Sequence, residues 1–157
     1  MKKSGAFFVC LLLTLLCCAP IARAQDTLRL KAITYNLRFG ELASLEELAA
    51  RIASEKPDMV ALQEVDCYTR REGIPHQHDK DFATELGFRT GMFPLYGKTI
   101  AFAGGWYGIG LLTARQYLGV RKLMLPQASA QEESRALLLV TVEVGQDTVV
   151  FASTHLG

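Results

Sequence analysis

Four residues carry side chains that could do chemistry together: Asn36, Glu64, His155 and Arg135. Asn36 closes Thr34-Tyr35-Asn36, and Glu64 closes the mostly apolar run Met59-Val60-Ala61-Leu62-Gln63-Glu64. If these segments are parallel strands joined by a helix, their ends lie side by side, where ligands of α/β sheets bind. A carboxylate and an amide oxygen there form a hard-oxygen site suited to Mg²⁺, which takes few protein ligands and keeps several waters. His155 follows a third apolar segment, Phe151-Ala152-Ser153-Thr154, and can join the same rim. Arg135 sits in Glu133-Ser134-Arg135 at the start of a strand. Each has an ordinary reading when taken alone. A glutamate past a strand is commonly solvated, a single histidine is commonly structural, and Glu133 to Arg135 is unremarkable charge at a strand's start.

The elements that would position these residues follow from the hydrophobic pattern. Leu28-Arg29-Leu30-Lys31-Ala32 alternates and then runs into Ile33-Thr34-Tyr35, a strand passing into a buried sheet. Ser44-Leu45-Glu46-Glu47 is a capping box, with Glu47 three residues after the cap. Leu45, Leu48, Ala49 and Ile52 repeat at helical spacing until Pro57 stops the helix. Met59 to Leu62 is unbroken apolar sequence, as a strand buried on both faces requires. Strand, helix and strand in this order predict an α/β unit. Cys67 to Asp79 reads as a polar loop. A short helix through Phe82, Ala83 and Leu86 is expected, with Asp79 as its N-cap and Gly87 as its close. Tyr107 to Thr113, Tyr117 to Leu125 and Arg135 to Val144 are strand candidates, and Gly145-Gln146-Asp147 turns the last of these back into Thr148 to Thr154.

The start of the chain has a different character. Lys2 and Lys3 precede a run from Ala6 to Leu16 that is apolar except for Thr14, and Ala22-Arg23-Ala24 precedes Gln25. This is the pattern of a secretory signal peptide over residues 1–24. The run is shorter than the roughly 20 residues of a membrane span. Lipid attachment at Cys17 or Cys18 is disfavoured by the large residues before them. Residues 25–157 are then the mature, exported part, in the periplasm or outside the cell. Cys67 becomes its lone cysteine, a packed thiol with no neighbour to lower its pKa. Loss of Lys2, Lys3 and Arg23 leaves 14 of the 17 basic residues against 16 acidic ones, a net charge of −2. That balance carries no general affinity for nucleic acid.

Other clusters carry less. His76-Gln77-His78-Asp79 lacks the four ligands of a structural zinc site and reads as a loop, although it and Arg70-Arg71 could touch a substrate. Gly104 to Gly110 has the wrong spacing for a dinucleotide fingerprint. Lys98 is expected in a Tyr-Gly-Lys turn. No Gly-x-Ser-x-Gly elbow supports a serine hydrolase.

Taken together, Thr34-Tyr35-Asn36, Asp58 to Val65, Tyr107-Gly108-Ile109-Gly110-Leu111-Leu112, Glu133-Ser134-Arg135 and Ser153-Thr154-His155-Leu156 resemble the endonuclease/exonuclease/phosphatase (DNase I-like) family, in order and spacing, over residues 27–157. The resemblance implies a four-layer α/β/β/α sandwich, present here only as its N-terminal portion, with C-terminal strands and helices missing. It implies an Mg²⁺- or Mn²⁺-dependent hydrolase of phosphate esters, with the substrate (nucleic acid, phospholipid head group or sugar phosphate) left open. Glu64 corresponds to the metal-ligand carboxylate, and Asn36 to the asparagine that holds the metal water or the phosphate. His155 corresponds to the histidine on the scissile phosphate, and Arg135 to an arginine that orders the site. The family's later Asp-x-Asn and Asp-His segments do not occur, so the chain alone is expected to be inactive and to fold poorly. The rival readings are a non-catalytic relic or binding module that keeps part of the fold, and a small adhesive β-domain in which Asn36, Glu64 and His155 lie far apart.

Overall fold

A computed structural model of the chain describes residues 28–156. The signal-peptide reading of residues 1–24 falls outside them. The capping box forms as the sequence requires. The Ser44 hydroxyl accepts from the Glu47 amide at 3.2 Å, and the Glu47 carboxylate accepts from the Ser44 amide at 2.8 Å. It opens α1 (Leu45–Glu55), which connects β1 (Ala32–Asn36) to β2 (Met59–Cys67). Lys56 then turns left-handed and Pro57 follows, which ends the helix. β1 and β2 pair in parallel from Ala32 opposite Met59 to Asn36 opposite Gln63. The expected α/β unit is therefore present, and both strand tips point the same way.

α2 (Phe82–Thr90) follows, then the hairpin β3 (Phe93–Phe102) and β4 (Gly105–Thr113). Its two-residue turn places Ala103 and Gly104 at φ 46° and 83°, the double left-handed geometry that suits strand twist. The first sheet has the order β1-β2-β4-β3. β5 (Tyr117–Met124), β6 (Ala136–Val144) and β7 (Asp147–Thr154) form a second, antiparallel sheet in that order.

β2 explains how the layers stack. Val60 and Leu62 face Leu45, Leu48, Ile52, Phe82 and Leu86 of the helices. Met59 and Ala61 face Leu138, Val140 and Val142 of the second sheet, beside Ile109 and Leu111 of β4. Burial on both sides is the reason the strand is apolar without alternation. Truncating Leu62, fully buried here, to alanine would cost about 2–5 kcal/mol. The described residues thus build three layers, helices on sheet on sheet, of the expected sandwich. Over the outer face of the second sheet, which carries Leu123, Leu137, Leu139 and Val150, the described residues place no helix. None of their helices is long and apolar enough to cross a membrane.

Four local expectations need correction. Lys98 lies inside β3, not in a turn. Pro94 lies in the same strand, and β3 is a sheet edge, where a missing amide is tolerated. The N-cap of α2 is Asp81, whose carboxylate accepts from the Thr84 amide at 3.1 Å, while Asp79 pairs with Arg70 at 2.9 Å. Gly87 sits within α2, where any side chain would strike the ring of Pro94. Gly91, at φ 68°, closes the helix instead. Finally, Cys67 is the last residue of β2, buried rather than in the loop. Its thiol is pushed up by burial and then by the Asp81 and Asp66 carboxylates, which keeps it protonated and inert.

Candidate active site

The parallel pairing brings Asn36 and Glu64 together at one end of the first sheet. The amide Nδ2 of Asn36 donates to Glu64 Oε1 at 2.7 Å. Its Oδ1 accepts from the Arg38 amide at 2.9 Å. A backbone N–H can only donate, so this network sets which end of the side chain is oxygen. The nitrogen faces the carboxylate. In this arrangement Asn36 orients the Glu64 carboxylate.

Glu64 is set apart from its strand. The register against β4 slips between Leu62 and Val65, and Glu64 sits at φ 55°. A bulge of this kind re-aims one side chain, and a left-handed non-glycine residue costs about 1–3 kcal/mol. The surrounding structure holds it. The Leu37 amide donates to the Gln63 carbonyl at 3.0 Å, and the Ser153 hydroxyl of β7 donates across to the Leu62 carbonyl at 3.2 Å.

His155, just past β7, arrives at the same rim. Its Nε2 lies 3.9 Å from Glu64 Oε1, too far for a hydrogen bond. Its Nδ1 lies 3.3 Å from an Arg135 Nη1 that also lies 3.2 Å from Glu133 Oε1. A guanidinium only donates, so Nδ1 accepts and the neutral ring carries its proton on Nε2, on the Glu64 side. All four residues named from the sequence converge, which excludes a fold that scatters them.

The sequence reading missed the residues behind this rim. Tyr107 is one. Its hydroxyl is pushed up to about 12, chiefly by burial and then by the carboxylates of Glu64 and Glu133, with Arg71 and Arg135 pulling the other way. It therefore remains a proton donor at any physiological pH. Arg38, Phe39 and Gly40, directly after the Asn36 tip, are all left-handed, at φ 46°, 45° and 72°. For the two non-glycine residues this costs about 1–2 kcal/mol each. Gln77 braces the turn by donating to the Gly40 and Ala43 carbonyls at 3.2 and 3.3 Å. The guanidinium of Arg71 lies 3.9 Å from the centre of the Phe39 ring and 4.2 Å from that of Phe102. Tyr107 was legible only as part of a strand motif and Arg71 only as a loop cation, while Arg38, Phe39 and Gly40 carried no signal in the sequence. In the loop, the His78 ring contacts the Arg71 carbonyl at 2.8 Å, while His76 is exposed. Lys98 lies over the Trp106 ring at 3.5 Å and does not join the four-residue cluster.

Comparison with known structures follows this geometry. An endonuclease/exonuclease/phosphatase from Beutenbergia cavernae superposes with a TM-score of 0.67 at 23% identity, over 83% of this chain and 39% of that one. A family protein from Leptotrichia buccalis gives 0.63 at 18% identity, over 82% and 55%. TDP2 of D. rerio, in complex with a single-strand DNA product, gives 0.57 at 20%, over 81% and 46%. The chain therefore has the endonuclease/exonuclease/phosphatase fold, and it spans about two fifths to just over half of these structures. No family model and no curated protein matches it.

The site suits a hard divalent cation in one respect. Among the described residues no three His, Cys, Asp or Glu side chains cluster around a common point. What remains is the Glu64 carboxylate with one protein donor, beside His155 and an arginine that also pairs with Glu133. That set fits Mg²⁺ or Mn²⁺ held by one carboxylate, waters and substrate oxygens. It does not fit a closed structural zinc site.

Proposed function

We propose that this chain carries the first half of the active site of an exported, Mg²⁺- or Mn²⁺-dependent phosphoester hydrolase. The observation that carries the reading is the Glu64 carboxylate, lifted out of β2 by a left-handed bulge, oriented by Asn36 and faced by the Nε2 of His155. Glu64 is the metal ligand. The bound cation would offset charge on the phosphate and the leaving oxygen. Asn36 fixes the rotamer of Glu64 through Nδ2. His155 donates from Nε2 to a phosphate oxygen, and Arg135 holds the ring in that tautomer through Nδ1. Tyr107, whose hydroxyl is pushed up by burial and by the Glu64 and Glu133 carboxylates, keeps its proton near the site. The substrate is a phosphate ester. The net charge of −2 after loss of residues 1–24, from 14 basic and 16 acidic residues, disfavours a nonspecific nuclease.

In-line hydrolysis also needs a group that activates water, and general-base help is worth about 10²–10⁴-fold. The residues given roles above supply a metal ligand and hydrogen-bond donors, not that group. The 157-residue chain is expected to bind Mn²⁺ and to turn over no phosphodiester. The same gap favours a second reading, a non-catalytic module that keeps the binding half of the site. Titration of the chain with Mn²⁺, followed by the paramagnetic resonance of the free ion, tests the first claim. Saturable binding that Glu64→Gln removes is the expected result. Binding unchanged by Glu64→Gln would overturn it. Hydrolysis of bis(4-nitrophenyl) phosphate by the chain alone would overturn the assignment of a half-site.

A further inference from the structure

We propose that Arg71 is a positioning residue for the Asn36–Glu64 pair, acting through the ring of Phe39. Nothing in the proposed chemistry uses Arg71, yet it is fastened on every side. Its Nε and Nη2 donate to the two oxygens of Asp66 at 3.1 and 3.0 Å. Asp66 is 1% exposed and also accepts from the Thr69 hydroxyl at 2.7 Å. A two-pronged ion pair against a buried carboxylate has one geometry. It holds the guanidinium plane against the rings of Phe39 and Phe102, and the Tyr107 ring lies 5.4 Å away.

Phe39 is the middle residue of the left-handed turn after Asn36. The turn's first amide, that of Arg38, is the donor that fixes the Asn36 oxygen and so aims its nitrogen at Glu64. Strained left-handed residues persist only where their surroundings hold them. The Phe39 ring pressed against an immobile cation supplies that hold. Asp66 lies two residues past Glu64 on the same strand, so a single guanidinium ties the turn after Asn36 to the strand beyond the bulge. A lysine has neither the fork nor the flat face and cannot replace it.

The inference rests on the reading of Glu64 as a metal ligand, and its test separates the two. Mn²⁺ affinity is measured on the full chain for wild type, Glu64→Gln, Asn36→Ala, Arg71→Met, Arg71→Lys and Asn36→Ala/Arg71→Met. Loss of a partner behind a metal ligand weakens binding by about 10- to 100-fold. Arg71→Met and Arg71→Lys are both expected to do so. The double variant is expected to bind no more weakly than Asn36→Ala, because Arg71 acts through Asn36. Additive losses, or a lowered melting temperature with unchanged Mn²⁺ affinity, would reduce Arg71 to a structural strut and overturn the proposal. If Arg71→Met does not fold, Phe39→Leu removes the aromatic face and keeps an apolar side chain, with the same losses expected. If Glu64→Gln leaves Mn²⁺ binding intact, the metal reading fails. The side-chain amide resonances of Asn36 in metal-free protein then decide the Arg71 proposal. Collapse to unstructured positions in Arg71→Met supports it, and unchanged positions sink it.

Discussion

Asp58, just before β2, and Glu64, at its bulge, are two acids of one segment held in opposite ways. Asp58, just before the strand, accepts from the Lys31 amide at 2.9 Å and from Arg115 Nε and Nη2 at 3.2 and 2.9 Å. The Lys31 backbone N–H holds its carboxyl below the usual carboxylate range, against the opposing push of burial and with further help from the Arg115 guanidinium. Glu64, at the bulge, has one side-chain partner among the described residues, the Asn36 amide, and a left-handed backbone. A carboxylate saturated with donors has nothing left to bind, and its charge serves the fold. A carboxylate with spare lone pairs and a strained backbone contributes little to stability and is free for a ligand. The contrast teaches where to look for chemistry on a strand carrying several acids: at the acid the protein leaves unsatisfied.

The contrast breaks most sharply under substitution. Glu64→Gln is expected to abolish Mn²⁺ binding with a smaller loss of unfolding free energy than Asp58→Ala, because it keeps the side chain's shape and touches a single side-chain hydrogen bond. Asp58→Ala should do the reverse. It removes hydrogen bonds to a charged group and is expected to lower stability by about 2 kcal/mol in urea titration, with Mn²⁺ affinity unchanged. If the two variants behave alike, the distinction between the two acids is wrong.

Acid sharpens the comparison further. The folded-state pKa of Asp58 is depressed, so its contribution is complete above the ordinary carboxylate value of about 3.9 and is lost as pH falls through the lower folded value. Urea midpoints measured down through that window should fall more steeply for wild type than for Asp58→Asn. The smallest expected effect is a gain. Glu64→Gly relieves the left-handed strain and should stabilise the chain by about 1 kcal/mol, read from the same titration. A loss there would mean the bulge is not strained.

Most of the frame was legible because it rests on local rules. The Ser44–Glu47 box, the Pro57 stop, the apolar Met59–Leu62 run and the Gly145 turn each fix an element within a few residues, and each formed. The convergence of Asn36, Glu64, His155 and Arg135 was legible through family likeness together with the parallel β1–α1–β2 unit. What escaped depends on distant neighbours. Pro94 and Gly97 conceal a strand until one knows that it is an edge. Asp79 and Asp81 are equally good caps until Arg70 claims the first. The bulge at Glu64 leaves no mark in a sequence that is apolar on both faces, so the amide orientation of Asn36 could not be foreseen either. Arg71 looked like a loop cation because its carboxylate partner, Asp66, and its ring partner, Phe39, lie on different elements.

The hydroxyl of Ser153 reaches from β7 to the Leu62 carbonyl, one sheet to the other, 91 positions apart in sequence. His155 lies two residues further along. Sliding β7 by one position would turn Ser153 to the opposite face, breaking the link beside the bulge and carrying the imidazole away from the acid together. The same atom that ties the layers thus acts as a checkpoint on assembly, so that a chain threaded out of step forfeits its tie between the sheets and its chemistry at once.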